Sequence, residues 1–201
     1  MHHRPLVLAS SSVYRRALLD RLRLDYIVAS PDIDEKPLAG ETPAAQSLRL
    51  AEAKASALAA RHPAHLIIGS DQVAELDGAP IGKPGSLERA QAQLAAASGR
   101  SVIFHTAVCV LDSATGRRAT GLVPTRVRFR PLSSATIAHY LAREPALDCA
   151  GSFKAEGLGI ALCEEISGDD PTALIGLPLI ELTGLLAAFG CDVLAAALPG
   201  A

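Results

Sequence analysis

The sequence predicts an α/β fold, on three observations. Short apolar runs alternate with capped, alanine-rich helical stretches, and one later run alternates strictly between apolar residues and arginines. The length of 201 residues, with 49% hydrophobic and 20% charged, fits one α/β domain or two small lobes sharing a core. Aromatic residues make up only 3%, so that core must be built largely from Ala, Leu, Val and Ile.

After Pro5, Leu6-Val7-Leu8-Ala9 reads as a short buried strand. Ser10-Ser11-Ser12 forms the turn, and Ser12 is placed to cap a helix from Val13 to about Leu22. Tyr26 to Ala29 is a second strand, leading into the acidic loop Asp32-Ile33-Asp34-Glu35. Thr42 followed by Pro43 is a cap with proline at the first helical position, and an Ala-rich helix then runs to about Arg61. Leu66 to Gly69 is a buried strand with Ser70-Asp71-Gln72 at its carboxyl end. Val73 to Leu76, the Asp77-Gly78 turn and Ala79 to Ile81 read as a hairpin. Ser86 caps a helix that stops at Gly99. Ser101 to Leu111 and Leu122 to Arg130 are long strands joined through Asp112 to Gly116. In the second, Thr125, Val127 and Phe129 alternate with Arg126, Arg128 and Arg130, as in a strand with one wet face. Ser133 or Ser134 caps a helix to about Ala142. An irregular stretch from Cys149 to Gly157 precedes a strand near Gly159 to Leu162, and a last helix covers Leu179 to Phe189. No repeat, linker or compositional break divides the chain, so residues 1–201 are expected to form a single domain.

Charge narrows the function classes. Lys+Arg 19 against Asp+Glu 21 leaves a net charge of -2, so no global basic field recruits nucleic acid or anionic lipid. An anionic substrate must instead be met by local positive charge and backbone N–H groups. The expected partner is a small molecule, with no nucleic acid and no membrane. Cys109, Cys149, Cys163 and Cys191 lack CxxC spacing and read as buried free thiols of a reducing, cytoplasmic protein. Leu6 to Ala9 is too short for a signal peptide, and Leu179 to Leu198 is interrupted by Glu181, Gly190 and Asp192, as in a packed helix followed by a tail. The His2-His3 pair is given no role.

Candidate chemistry gathers at strand ends, where open α/β sheets put their ligands. One acidic group is Asp32, Asp34 and Glu35; the other is Asp71, held by a buried strand. A hard cation such as Mg²⁺ takes one or two carboxylates plus phosphate oxygens and water, while Asp32 or Asp34 alone reads as a solvated loop acid. Opposite charge is local: Ser10-Ser11-Ser12 opens a helix whose N–H groups can accept an oxyanion, with Arg15 and Arg16 in its first turn. Lys54 lies within the Ala-rich helix, and Lys83 in Gly82-Lys83-Pro84, where proline stiffens the turn. There is no GxxxxGK[ST] loop, no GxGxxG after a strand and no GxSxG elbow. His62 and His65 flank Pro63, which breaks the helix needed to present both rings to a metal.

Taken together, several segments resemble the Maf family of nucleotide pyrophosphatases. They are Leu8-Ala9-Ser10-Ser11-Ser12 with Arg15-Arg16, Asp34-Glu35, Glu52-Ala53-Lys54-Ala55 and Gly69-Ser70-Asp71-Gln72. They continue with Gly82-Lys83-Pro84, Ser98-Gly99, Phe104-His105-Thr106, Ala150-Gly151, Gly168-Asp169 and Ile175-Gly176-Leu177-Pro178-Leu179. The resemblance implies a mixed twisted sheet with flanking helices, two lobes around a cleft, similar to inosine-triphosphate pyrophosphatase-like folds. It implies hydrolysis of nucleoside triphosphates to monophosphate and pyrophosphate with a divalent cation, Mg or Mn. Asp71 is the implied general base, Glu35 with Asp71 the implied metal ligands, and Ser10, Arg15, Lys54 and Lys83 the implied phosphate-binding set. A homodimer is the assembly typical of such folds. Val13 departs from the family's usual proline, and Ala107 from a common glycine.

Within the family, members acting on dTTP and UTP often carry arginine where this chain has Tyr14 and glutamine where it has Glu156. The run Cys149 to Gly157, with Gln72, looks instead like the subgroup acting on 7-methyl-GTP. A carboxylate suits the N1–H and exocyclic amine of guanine, whereas uracil presents two carbonyls that would repel it. An N7-methylated base is cationic and gains about 0.5–2 kcal/mol on stacking over an aromatic such as Tyr14. A dTTP/UTP pyrophosphatase, and a regulatory nucleotide-binding protein tied to cell division, are the alternatives.

Overall fold

The structure, a computed structural model, describes residues 4–195. The His2-His3 pair and the end of the apolar tail lie outside the described residues. Strands β1 (Leu6–Ala9), β2 (Tyr26–Ala29), β3 (Leu66–Leu76), β4 (Ala79–Ile81), β5 (Ser101–Asp112), β6 (Arg118–Phe129) and β7 (Cys163–Gly168) form one mixed sheet. Its order is β2-β1-β3-β5-β6-β7, with β4 added to the far end of β3. β1 runs parallel to β2 and β3; every other pairing is antiparallel. Helices α1 (Val13–Leu19), α2 (Pro43–Ala57), α3 (Leu87–Ala97), α4 (Ser134–Arg143) and α5 (Leu179–Ala188) flank the sheet, and no helix among the described residues is long and apolar enough to cross a membrane.

Strand alternation distributes the core between the two faces. Val7, Ala9, Ile67, Ala107 and Cys109 point to one face and pack on Ala51 and Ala55 of α2 and on Leu58 just after it. Leu6, Leu8, Leu66, Ile68, Val108 and Val110 point to the other and pack on Leu18, Leu19, Leu182 and Leu186 of α1 and α5. Further along that second face, Phe104, Val127 and Phe129 meet α3 and α4 through Ala90, Leu94, Ile137 and Leu141. These two halves of one sheet are the expected lobes. The wet face expected of β6 is present, with Thr125, Val127 and Phe129 buried and Arg126 and Arg128 exposed.

Four boundaries differ from the sequence reading, the simplest being that β6 begins at Arg118 rather than Leu122, extending its ladder with β5 to the Leu111↔Arg118 rung. The second helix stops at Ala57 rather than about Arg61, because the bonds Leu58 N–H to Ala55 and Ala59 N–H to Ser56 tighten the chain into turns ahead of Pro63. The strand expected near Gly159 to Leu162 is a 3-10 turn over Leu158–Leu162, and the strand follows at Cys163–Gly168. There the chain coils back on itself: Gly159 N–H bonds Lys154 O at 3.1 Å, and a Cβ on Gly159 would lie 2.4 Å from that oxygen. The most consequential difference concerns β3. Ser70-Asp71-Gln72 do not end the strand but sit in its middle, because β5 pairs with it without a break from Leu66↔Asp112 to Glu75↔Ile103. On the opposite edge β1 ends at Ala9, opposite Gly69, and β4 begins only at the Ala74↔Ile81 rung. The gap beside residues 70–73 opens the sheet edge where the site lies.

Candidate active site

A cleft of about 650 Å³ enters at this gap. Ser10, Tyr14, Arg15, Glu35, Lys54, Asp71, Gln72 and Lys83 all line it. A smaller chamber of about 110 Å³ adjoins it, sharing Tyr14, Arg15, Gln72 and Lys83, and adds Glu156 with an apolar lining that includes Phe104 and Phe153. Every side chain to which the resemblance gives a role therefore lines one or both of these spaces. Asp32 and Asp34 are exposed outside it, and Asp34 accepts the Lys36 N–H at 3.1 Å.

Adjacent residues of β3 serve opposite faces. Asp71 shares the face of Ile67 and Gly69 and meets α2. The alanines on either side of Lys54 let that helix come close: a Cβ on Gly69 would sit 2.1 Å from Ala51 O and 2.8 Å from Ala55 N. Lys54 Nζ donates to Asp71 Oδ1 at 2.6 Å and pairs with Glu35 Oε1 at 2.8 Å, with Asp71 and Lys54 each only 6% exposed. One ammonium thus draws together carboxylates from two distant segments. A lysine has three N–H groups, so one remains for a ligand after the two carboxylates are met. Burial raises the Glu35 pKa, but the Lys54 hydrogen bond and the charges of Lys54, Lys83 and Arg15 outweigh it and hold Glu35 below the ordinary carboxylate value.

On the other face, Ser70 and Gln72 meet a 3-10 turn at Ala173–Ile175. Gln72 Nε2 donates to Thr106 Oγ1 at 2.9 Å and lies 3.0 Å from the carbonyls of both Ala173 and Leu174. Those carbonyls can only accept, so the amide nitrogen is fixed toward the turn and the amide oxygen is left for the cavity. Gly176 O accepts from Ser70 Oγ at 3.0 Å and from Arg15 Nε at 2.8 Å. The same turn therefore steadies Arg15 and Gln72, both of which line the two chambers. Gly176 has φ +121, a region in which a side chain would be strained. Burial lowers the Arg15 pKa, opposed by Asp71 and Glu35, whose charges favour the guanidinium.

The serine turn is more committed than its sequence suggested. Ser12 N–H donates to Ser10 Oγ at 3.1 Å, and Arg15 N–H to the Ser12 cap at 3.4 Å, so these two N–H groups are already satisfied. Lys83 projects from a segment tied to the opposite wall by Gly85 N–H to Leu147 O at 3.1 Å and Gly151 N–H to Gly82 O at 3.4 Å. Beside the side chamber, Lys154 Nζ lies 5.5 Å from the centroid of the Tyr14 ring. Burial, ahead of the nearby Cys149 and Asp148, raises the Tyr14 phenol pKa.

Sequence reasoning missed Thr106, Asp148 and the carbonyls of the 173–176 turn as parts of this site. Thr106 and Gly176 stood inside the quoted motifs, but a carbonyl that acts as an anchor leaves no mark in side-chain chemistry. Asp148, which lines both chambers, sits in an irregular stretch without periodicity.

A family model described as Maf-like protein matches residues 5–189. The 7-methyl-GTP pyrophosphatase of Bordetella avium is 57% identical over 195 residues, covering 96% of this chain and 98% of that protein. Those of Cupriavidus metallidurans and Burkholderia orbicola are 58% identical over 181 residues and 59% identical over 186, covering 90% and 91% of this chain and 91% and 89% of theirs. Among solved structures, a HAM1 protein from Coxiella burnetii aligns with 92% of this chain and 100% of its own at 18% identity and a TM-score of 0.49, too distant to bear on the site. From β1 to the end of α5, this chain belongs to the Maf family.

Proposed function

We propose that this chain hydrolyses 7-methyl-GTP between its α and β phosphates, releasing 7-methyl-GMP and pyrophosphate, with a divalent cation. The observation that carries the reading is the Asp71–Lys54–Glu35 group in a cleft that also presents Arg15 and Lys83 and adjoins a chamber bearing Glu156 and Tyr14. Relatives 57% to 59% identical over nearly their whole length carry the name 7-methyl-GTP pyrophosphatase, which supports the substrate. Cys109, Cys149, Cys163 and Cys191 are all free thiols, in keeping with a cytoplasmic location.

Asp71 and Glu35 each give one oxygen to Lys54 and keep a second, a donor set that fits a hard cation completing its shell with phosphate oxygens and water. When bound, Mg or Mn supplies charge neutralisation on the phosphate oxygens. The residues of the chain do the rest. Asp71 orients a water and accepts its proton; the water oxygen forms a bond to the α-phosphorus as the bond to the bridging oxygen breaks. The electron pair leaves with pyrophosphate, whose growing charge is met by Arg15, Lys83 and the remaining Lys54 N–H. Lys54 also fixes the Asp71 carboxylate, so the base is held before substrate arrives. In the side chamber, Glu156 accepts from the N1–H and amine of guanine, and Tyr14 offers a face to the cationic ring.

Asp71→Asn tests the base. It keeps the shape and an oxygen for Lys54 but cannot take a proton, so kcat is expected to fall by about 100-fold or more with substrate binding retained. A variant with wild-type kcat would overturn the assignment.

A further inference from the structure

We infer that Glu144 is a positioning residue for the side chamber, clamping the loop that carries Glu156 and reaching Tyr14 through Lys154. The inference rests on reading that chamber as the base site. Glu144 follows the last turn of α4, where its N–H bonds Tyr140 O at 2.8 Å. Its carboxylate, 16% exposed, accepts the Leu158 N–H and pairs with Lys154 Nζ at 3.2 Å. The Lys154 N–H donates to Tyr140 Oη at 3.1 Å. Residues 154–158 are thus fastened to the end of α4 at both ends, with Glu156 in the middle of the span.

The fit around the clamp is close. A Cβ on Gly157 would lie 2.3 Å and 2.5 Å from the two Glu144 oxygens, so the residue after Glu156 has to leave that space to the carboxylate. The Lys154 ammonium, held by Glu144, stands 5.5 Å from the Tyr14 ring centroid. The Glu144 hydrogen bond, ahead of an opposing burial effect, raises the Lys154 pKa and keeps it cationic there. One carboxylate outside the cavity lining therefore braces the backbone on either side of Glu156 and holds a cation beside Tyr14. An ordered Glu156 matters because a carboxylate discriminates between base edges only if it meets them at a fixed place and angle.

Two variants separate positioning from general stability. Glu144→Ala removes both bonds; Glu144→Gln keeps an oxygen for the Leu158 N–H but loses the ion pair. With a panel of 7-methyl-GTP, GTP, dTTP and UTP, Glu144→Ala is expected to reduce the kcat/KM preference for the favoured base about tenfold, chiefly through KM. Glu144→Gln should recover most of that preference. Hydrogen exchange of the amides at 154–158 should accelerate in Glu144→Ala and return toward wild type in Glu144→Gln. A lower melting temperature with unchanged base preference would make Glu144 merely structural and overturn the inference, as would wild-type exchange at 154–158 in Glu144→Ala. If the wild type favours another base and Glu144→Ala still collapses that preference, the 7-methyl-GTP reading falls and the clamp stands.

Discussion

Replacing Gly69 with alanine puts the coupling between packing and chemistry under direct strain. The added Cβ would lie 2.1 Å from Ala51 O, 2.8 Å from Ala55 N and 3.1 Å from Ala55 Cβ. The first two atoms belong to the α2 backbone and cannot rotate away. Because real Cβ contacts do not fall under 3.0 Å, α2 and β3 must separate by at least 0.9 Å at this point. Overpacking of that kind costs about 1–3 kcal/mol. The displaced helix is the one that carries Lys54, between Ala51 and Ala55, and Asp71 is two residues along β3. The 2.6 Å bond from Lys54 to Asp71 would stretch by the same 0.9 Å, to about 3.5 Å, where little of a hydrogen bond survives. Gly69→Ala should therefore lower the urea midpoint of unfolding and, in the population still folded, lower kcat for pyrophosphate release about tenfold or more. The two losses should appear together. A variant with wild-type midpoint and wild-type kcat would refute the claim that this approach of α2 to β3 sets the site. Lost stability with intact kcat would show that the lysine adjusts independently of its helix.

Two further outcomes follow from the titratable groups. Glu35 has its pKa lowered from 4.5, so it contributes stability that is fully present well above that value and is lost as pH falls through the depressed folded value. Wild type should be more stable than Glu35→Gln near neutrality, with the difference shrinking in acid below about pH 4. A difference that grows on acidification would contradict the sign. The thiols should resist alkylation in the native state, since burial pushes Cys109 and Cys149 up to about 12 and Cys163 to about 11, and raises Cys191. Mass analysis after iodoacetamide at about pH 8 checks this. Labelling of Cys149 at the rate of a free thiol would show that the side chamber presents a reactive nucleophile.

Much of the fold could be read from local chemistry, because caps and alternation act within a few residues. Ser12, Thr42, Ser86 and Ser133 all cap the helices that begin beside them. The misplaced end of β3 has a longer-range cause: whether a strand stops at Gly69 is decided by β5, a ladder formed more than thirty residues downstream. Gly159 was misread for a local reason, since its N–H bonds a carbonyl five residues earlier and turns an apolar run from strand into 3-10 coil. The side chains proposed to act in the reaction were visible as residue types in short motifs. Their pairing was not, because nothing in the spacing of Lys54, Asp71 and Glu35 states that a lysine comes to lie between two acids. Glu144 was invisible for a related reason. A lone acid at the end of an amphipathic helix reads as surface, and only the returning 154–158 segment gives it a task.

Turnover of 7-methyl-GTP in heavy-oxygen water, with mass analysis of both products, tests the proposed reaction most directly. Attack by an Asp71-activated water on the α-phosphorus puts the label in 7-methyl-GMP and leaves pyrophosphate unlabelled. Label in the pyrophosphate, or release of orthophosphate in its place, would contradict it.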